Sequence, residues 1–288
     1  MVRINVNKTN SLLPITKRIM FEGQTEYPNT AEEPELTKGT YLCRNCGLAL
    51  YRAQSKFISG CGWPSFDNQI QDKVIKKETL KPNVYEILCS RCNGHLGHIF
   101  YGENFTPLNV RHCVNSLALD YITNDQVLDT QEAIVAAGCF WGVEYYFQQL
   151  KGVLSTEVGY CGGKTQYPSY KDVCNGNTGH AEGVRVLFDP NVICYEEIIK
   201  YYFEIHDFSQ QDGQGYDIGE QYLSIIFYHN PQQQDIANKV IQLLKDKNYS
   251  VATKVVPAQI FWPAEKYHQN YYAGQRTMPD CHIWNKKF

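Results

Sequence analysis

The chain has 288 residues, 43% of them apolar, with 27 basic and 30 acidic side chains for a formal net charge of −3. That length suits two ordinary domains, each with its own core. The balance of charge excludes a field that would gather nucleic acid or an anionic membrane, because about residue 128 the chain divides into 14 basic against 12 acidic residues and then 13 against 18.

The opening "MVRINVNKTNSLLPITKRIM" lacks the apolar run of a secretion signal, and no later stretch reaches the roughly 18 apolar residues of a membrane span, so a cytoplasmic protein without membrane contact is expected. Eleven cysteines are an odd, high count, yet they fall at zinc-like or isolated positions and the chain is too long for a small disulfide scaffold. A reducing compartment with working thiols is the expectation.

From Thr40 to Ile122 short apolar runs alternate with turn residues: "GTYLCRNCG", "VYEILCSRCNG", "HLGHIFYG" and "LNVRHCVNSLALDYI". This rhythm predicts a mainly β domain over 1–122. The polar "TNDQVLDTQ" at 123–131 reads as a linker to a second domain over 132–288. There the strand-like "AIVAAG" precedes a helix from about Phe140 to Leu150, followed by strand-like "VLSTEVGY", "GVRVLF" and "QYLSIIFY". "YEEIIKYYFEIH" has helical spacing, and Asn230 with Pro231 reads as the cap and first turn of a helix over "PQQQDIANKVIQLLKDK". A strand "VATKVV" and an aromatic helix around "PAEKYHQNYY" end the series. Strands mixed with helices predict an α+β sandwich of the ferredoxin-like, split βαβ type.

Cys43 with Cys46 and Cys89 with Cys92 form two CxxC pairs, each after a short β run where a tight turn can aim two thiolates at one metal. A redox pair is the rival for either alone; both together favour one structural zinc, with no organic cofactor. His95 and His98 stand three apart among glycines, and with four sulfurs already enough for a zinc they read better as an acid or a substrate contact than as ligands. Arg111 and His112 precede Cys113, and a guanidinium favours the thiolate that attacks, although a buried inert cysteine fits the same strand. Cys139 stands where a helix would begin, and a helix N-terminus stabilises an anion there. Polar residues in "PSYKDVCNGNTGHAEGV" and "QGYDIGEQY", Tyr170, Glu182, Asp217 and Tyr222, could converge on that thiol. "GYCGGKT" is not a phosphate loop, since Val158 stands where the pattern needs glycine.

Taken together, "GCFWGVE", "GYCGG", "PSYKDVC", "TGHAE" and "QGYDIGEQY" resemble methionine sulfoxide reductase A over nearly the whole second half. The paired CxxC, "SGCGWPSF", "HLGHIF" and "RHCVNS" resemble methionine sulfoxide reductase B in the first, over a core of about 17–121. The resemblance implies a fused repair enzyme that returns methionine sulfoxide, free or in proteins, to methionine, the A-like half taking the S epimer and the B-like half the R epimer. It implies Cys139 as nucleophile with Glu182 as proton donor, Tyr170 and Tyr222 holding the sulfoxide oxygen, Asp217 orienting them, and Phe140 and Trp141 walling the methyl group. In the first half it implies Cys113 as nucleophile, His98 as acid with His95 beside it, Trp63 in the methyl pocket, and Arg111 and Asn115 tuning the site. Cys61 matches the resolving position there, and Cys281 in "PDCHIW" is its counterpart in the second half, with Cys161 and Cys174 as substitutes. A dithiol of thioredoxin type would reopen the disulfides. A zinc-containing thiol sensor is the rival reading, and it needs neither acids nor methyl pockets.

Overall fold

A computed structural model describes residues 8–30, 38–275 and 277–288, and the chain divides between Thr130 and Gln131 into two compact units. The sequence-based range 1–122 also runs through residues 1–7 and 31–37, which lie outside the described residues.

The first unit opens with helix α1 (Pro14–Glu22). Proline at its start gives up an N–H that no helix would use, and Gly23 ends it in the left-handed region at φ 69°. Nine strands follow: β1 (Thr40–Cys43), β2 (Ala49–Arg52), β3 (Lys56–Phe57), β4 (Ser65–Phe66), β5 (Val74–Glu78), β6 (Val84–Cys89), β7 (His95–Tyr101), β8 (Val110–Val114) and β9 (Leu119–Ile122). They pair antiparallel in two sheets, ordered β2-β1-β9 and β3-β4-β8-β7-β6-β5. The sheets share a core in which Phe66 stacks on Tyr51 at 4.3 Å and meets the edge of Tyr41 at 4.9 Å, with Leu50, Ile87, Leu96 and Val114 around them. Each such buried side chain contributes about 1.5–3 kcal/mol.

"LNVRHCVNSLALDYI", a single run in the sequence, is two strands in different sheets. The break comes at Asn115, whose amide donates to the Leu96 carbonyl while its side-chain oxygen accepts from Glu26 N–H. The buried Glu26 carboxylate then accepts the N–H groups of Ser116 and Leu117, closing a 3-10 turn that redirects the chain. No local pattern announces a carboxylate about ninety positions upstream.

The second unit comprises β10 (Gln131–Ala137), α2 (Phe140–Gln149), β11 (Val153–Cys161), α3 (Tyr170–Cys174), β12 (Ala181–Phe188), α4 (Tyr195–Glu204), β13 (Gly213–Gln214), β14 (Asp217–Ile218), β15 (Ser224–Tyr228), α5 (Pro231–Asp246), β16 (Lys254–Pro257), β17 (Trp262–Pro263) and α6 (Tyr271–Gln275). Its six-stranded sheet has the order β16-β15-β10-β12-β11-β17, and all neighbours are antiparallel except β15 with β16. Because β12 lies between β10 and β11 and opposes both, those two run the same way with α2 as their crossover. Every residue of β10 is buried, as a central strand covered on both faces requires. Helix α2 therefore starts at the exit of the deepest strand, with Cys139 at its cap.

A side-chain cap starts α5. The Asn230 side chain accepts Gln233 N–H at 3.0 Å beside Pro231, and Gln233 donates to the Glu132 carbonyl at 2.8 Å. The aromatic helix expected around "PAEKYHQNYY" is instead a 3-10 turn at Lys266–His268 and the short α6. Gln269 is the cause: its amide bonds Val158 N–H, the Val158 carbonyl and the Ala264 carbonyl, holding the segment as a strap across β11.

Gly97 has φ 153°, and a Cβ there would stand 2.0 Å from the Cys113 carbonyl oxygen. Replacing it, Gly97→Ala, is expected to lower the stability of the first unit by about 2 kcal/mol or more. Urea unfolding checks this, and an unchanged midpoint would contradict it.

Candidate active sites

In the first unit Cys113 lies on β8 directly opposite His98 on β7, which in turn opposes Glu86 on β6. Side chains so paired have Cβ atoms about 4.5–5.5 Å apart. The Sγ of Cys61, from the loop between β3 and β4, is 3.7 Å from the Sγ of Cys113. Ser59 and Ser65 hydroxyls surround Cys61, at 3.0 and 3.6 Å from its sulfur. Burial works against its ionisation, but these hydroxyls, the Trp63 backbone and Cys113 outweigh that and hold its pKa below the usual thiol value.

Arg111 grips Glu103 with two bonds of 2.7 and 2.9 Å and lies 4.4 Å from the Phe100 ring. It does favour the Cys113 thiolate, but burial and Cys61 outweigh it and push Cys113 up to about 12. Arg111 thus eases ionisation of Cys113 without cancelling the effect of burial. Burial, then His95, holds His98 below its usual range. His95 is buried with Nδ1 at 2.8 Å from Glu86, and its Nε2 has no partner among the described residues. Trp63 Nε1 donates to the Glu26 carbonyl, so the same residue that turns the chain at Asn115 also fixes this indole.

Elsewhere in this unit the two CxxC turns are built alike. Gly47 N–H returns to the Cys43 carbonyl and Asn93 N–H to the Cys89 carbonyl, each from a left-handed residue, at φ 72° and 57°. The turns face each other with Cys43 to Cys92 and Cys46 to Cys89 both at 3.6 Å, and all four sulfurs within 4.8 Å. Tetrahedral bonds of about 2.3 Å put ligand sulfurs roughly 3.8 Å apart, so the set fits a single tetrahedral ion.

In the second unit Gly138, at φ 86°, turns β10 into α2 and leaves Cys139 at the helix cap. Glu182, on β12 and only 2% exposed, accepts Phe140 N–H at 3.1 Å, which fixes one carboxyl oxygen at the same helix start. Burial, helped by Cys139, raises its pKa to about 8, so the carboxyl keeps its proton at neutral pH. Cys139 itself is raised, first by its hydrogen bond with Cys281 and then by burial. The helix N-terminus does not win: its contribution of about 0.3–1 kcal/mol is less than one pKa unit, whereas burial is worth several.

Tyr170, at the start of α3, and Tyr222 are both kept protonated by burial, Tyr222 up to about 12, with the Glu182 charge adding to each. Asp217, on β14, adds to the field at Glu182 and Tyr222. Phe140 is buried, and Trp141 stacks on Tyr271 at 3.8 Å while its Nε1 donates to His268 Nδ1 at 3.1 Å. His268 is a site residue that sequence reasoning missed. Its ring centre is 4.4 Å from that of Tyr170 and 5.1 Å from that of Phe140, and its buried Nε2 has no partner among the described residues. Glu265 was missed too; it accepts from the Tyr160 hydroxyl at 2.8 Å and from Tyr170 N–H at 2.9 Å, tying the strap to α3. Of the alternatives to Cys281, Cys161 is wholly buried on β11, and Cys174 is exposed on α3, within electrostatic reach of Tyr170.

Each unit thus brings two thiols together beside a group able to deliver a proton. Closing either pair to the 2.05 Å of a disulfide needs only local movement. Mild oxidation followed by peptide mapping should yield Cys61–Cys113 and Cys139–Cys281 links first; early links through Cys161 or Cys174 would contradict the geometry.

Comparison with known families assigns both units. A family model described as "Peptide methionine sulfoxide reductase" matches residues 131–288, and one described as "SelR domain" matches residues 12–123. The chain is 50% identical to Peptide methionine sulfoxide reductase MsrA of Pasteurella multocida over 155 residues, which are 54% of this chain and 89% of that protein. It is 44% identical to the protein of the same name from Sulfolobus acidocaldarius over 152 residues, 52% of this chain and 86% of that one. Among solved structures, reduced Mxr1 from Saccharomyces cerevisiae matches with a TM-score of 0.52 at 31% identity, covering 55% of this chain and 93% of that chain. The first half's resemblance to the B-type reductases and the second half's to the A-type are both borne out: the chain belongs to the peptide methionine sulfoxide reductase family, with a SelR domain preceding the reductase domain.

Proposed function

We propose that the two units are independent reductases of opposite handedness, the first acting on the R epimer and the second on the S epimer of methionine sulfoxide, free or within proteins. The pairing of two thiols with one proton source in each unit carries this reading. A sulfoxide sulfur is a stereocentre, and a pocket shaped for one epimer rejects the other.

In the second unit Cys139 attacks the sulfoxide sulfur while Glu182 protonates the oxygen, because a bare oxygen anion leaves badly. Tyr170 and Tyr222 donate to that oxygen, Asp217 orients them, and Phe140 and Trp141 enclose the methyl group. Methionine departs and Cys139 is left as a sulfenic acid. Cys281 then condenses with it, forming the disulfide and water. In the first unit Cys113 attacks, His98 with His95 supplies the proton, and Trp63 encloses the methyl group. Arg111 stabilises the thiolate as it forms, Asn115 holds the strand end, and Cys61 closes the disulfide. A dithiol of thioredoxin type returns both pairs to thiols by exchange, and free working thiols suit a reducing compartment such as the cytoplasm. Among the described residues no helix is long and apolar enough to cross a membrane.

Cys43, Cys46, Cys89 and Cys92 would hold one structural zinc, pinning together the β1–β2 and β6–β7 turns, with no open position for chemistry. The order of β10, β12 and β11 supports a split βαβ reading of the second unit.

Epimer-resolved assays test the proposal. Cys139→Ser should abolish reduction of the S epimer and spare the R epimer, and Cys113→Ser should do the reverse; loss of both activities in either variant would refute separate sites. Glu182 holds its proton below pH about 8, so S-epimer reduction should fall as pH rises through that value. R-epimer reduction, dependent on a His98 held below its usual range, should fall from a lower pH. Glu182→Gln should cut the S-epimer rate about 10²- to 10⁴-fold and remove the alkaline fall. Metal analysis should find about one zinc per chain.

A further inference from the structure

Cys281 has a neighbour that the reductase chemistry above leaves idle. His282 is 2% exposed, and its Nε2 lies 2.6 Å from the Ala137 carbonyl at the end of β10. A carbonyl only accepts, so Nε2 carries the ring proton. The other nitrogen, Nδ1, lies 3.1 Å from the Cys281 Sγ. Burial disfavours the charged ring, which leaves Nδ1 presenting its lone pair to the thiol.

The surroundings are shaped for this pair. A Cβ on Gly142, in the first turn of α2, would come 2.3 Å from His282 Nδ1 and 2.9 Å from Cys281 Sγ. The tail is tied in place: Tyr146 hydroxyl donates to the His282 carbonyl at 3.1 Å, and Glu204 accepts from Trp284 Nε1, Lys287 N–H and Phe288 N–H. Cys139 at the start of α2 and Asp217 on β14 both favour a positive ring, while His206 after α4 is the nearby group that titrates in the same direction. Cys281 and Asp280 are its neighbours in sequence.

We propose that His282 is the base that takes the proton from Cys281 in the disulfide-forming step, an inference that rests on Cys281 being the resolving thiol. As the proton passes to Nδ1, the Cys281 sulfur attacks the sulfenyl sulfur of Cys139. The Sγ–O bond breaks with its electron pair on oxygen, which takes up one proton and leaves as water. The proton lost by Cys281 balances the one gained by the leaving group, and the oxidant is the sulfenic acid itself. Asp217 steadies the imidazolium until it passes its proton on.

The test uses the full chain, one equivalent of the S epimer and no reductant. In His282→Gln the first equivalent of methionine should still be released. The Cys139–Cys281 link should form at least about tenfold more slowly at pH 7, with Cys139 sulfenic acid trapped as a dimedone adduct. That slow rate should climb about tenfold per pH unit from 6 to 8 as Cys281 ionises unaided, while the unaltered chain varies little over the same range. A variant that closes the disulfide at the normal rate, or slowly but without pH dependence, overturns the proposal. Nitrogen chemical shifts of His282 in the unaltered chain give an answer independent of any variant: an unprotonated Nδ1 at pH 7 is expected, and a protonated one overturns it. Cys281→Ser separates the two layers. If it still forms an intramolecular disulfide on turnover, the resolving assignment fails; if it cannot, and His282→Gln closes normally, only the base assignment fails.

Discussion

Close approach is the constraint on which both sites depend. Two thiols must lie within reach of a disulfide while each stays packed, and a packed interior has no spare volume for that unless backbone atoms yield it. In the first unit Gly97 lets β7 lie against the Cys113 carbonyl, which seats the sulfur opposite His98. In the second, Gly142 hollows the first turn of α2 so that Cys281 and His282 rest where a methyl group would otherwise stand. One glycine admits a strand and the other a tail; the sulfur chemistry follows from the space each leaves.

That closeness has an electrostatic cost. Arg111 near Cys113 and the helix start at Cys139 both favour thiolates, but burial and a second thiol outweigh them. The outcome suits the reaction. Thiol plus sulfoxide gives sulfenic acid plus thioether with no net uptake of protons, so a neutral site already holds what the step needs. Glu182 illustrates this: its raised pKa and its bond from Phe140 N–H come from the same burial, one keeping the proton and the other aiming the carboxyl. A site built around standing charges would have to desolvate them again for an apolar thioether product.

The sequence displayed the parts whose spacing is local. Two CxxC turns, the Asn230–Pro231 cap and the strand-to-helix position of Cys139 are set by neighbours a few residues away, and the structure has them where the spacing puts them. Parts supplied from a distance were not legible. Glu26 turns the chain at Asn115 and fixes Trp63, and Gln269 and Glu265 convert an expected helix into a strap. Nothing in the local pattern marks His268, whose bond from Trp141 and ring contacts with Tyr170 and Phe140 bring it to the pocket. The balance at Cys113 and Cys139 was half legible for a related reason: Arg111 and the helix start are visible in a sequence, but the depth of burial that opposes them is not.

The two units also divide labour between regular and irregular structure in the same way. Cys113 sits in a hydrogen-bonded ladder and Cys139 at the cap of a helix that leaves a central strand, so the sulfurs proposed to attack are held by regular elements. Cys61 lies in a loop and Cys281 in a tail, held by side-chain bonds from Ser59 and Ser65 or through Tyr146 and Glu204. An attacking sulfur must meet a substrate whose geometry it cannot choose, and sub-ångström placement there governs rate. A sulfur proposed to resolve must move to bonding distance and back on each turnover, from 3.7 Å in the case of Cys61, a movement that costs less in a loop than in a ladder. Fixing the first sulfur and leaving the second on a tether is the arrangement that meets both demands, and both units are built that way.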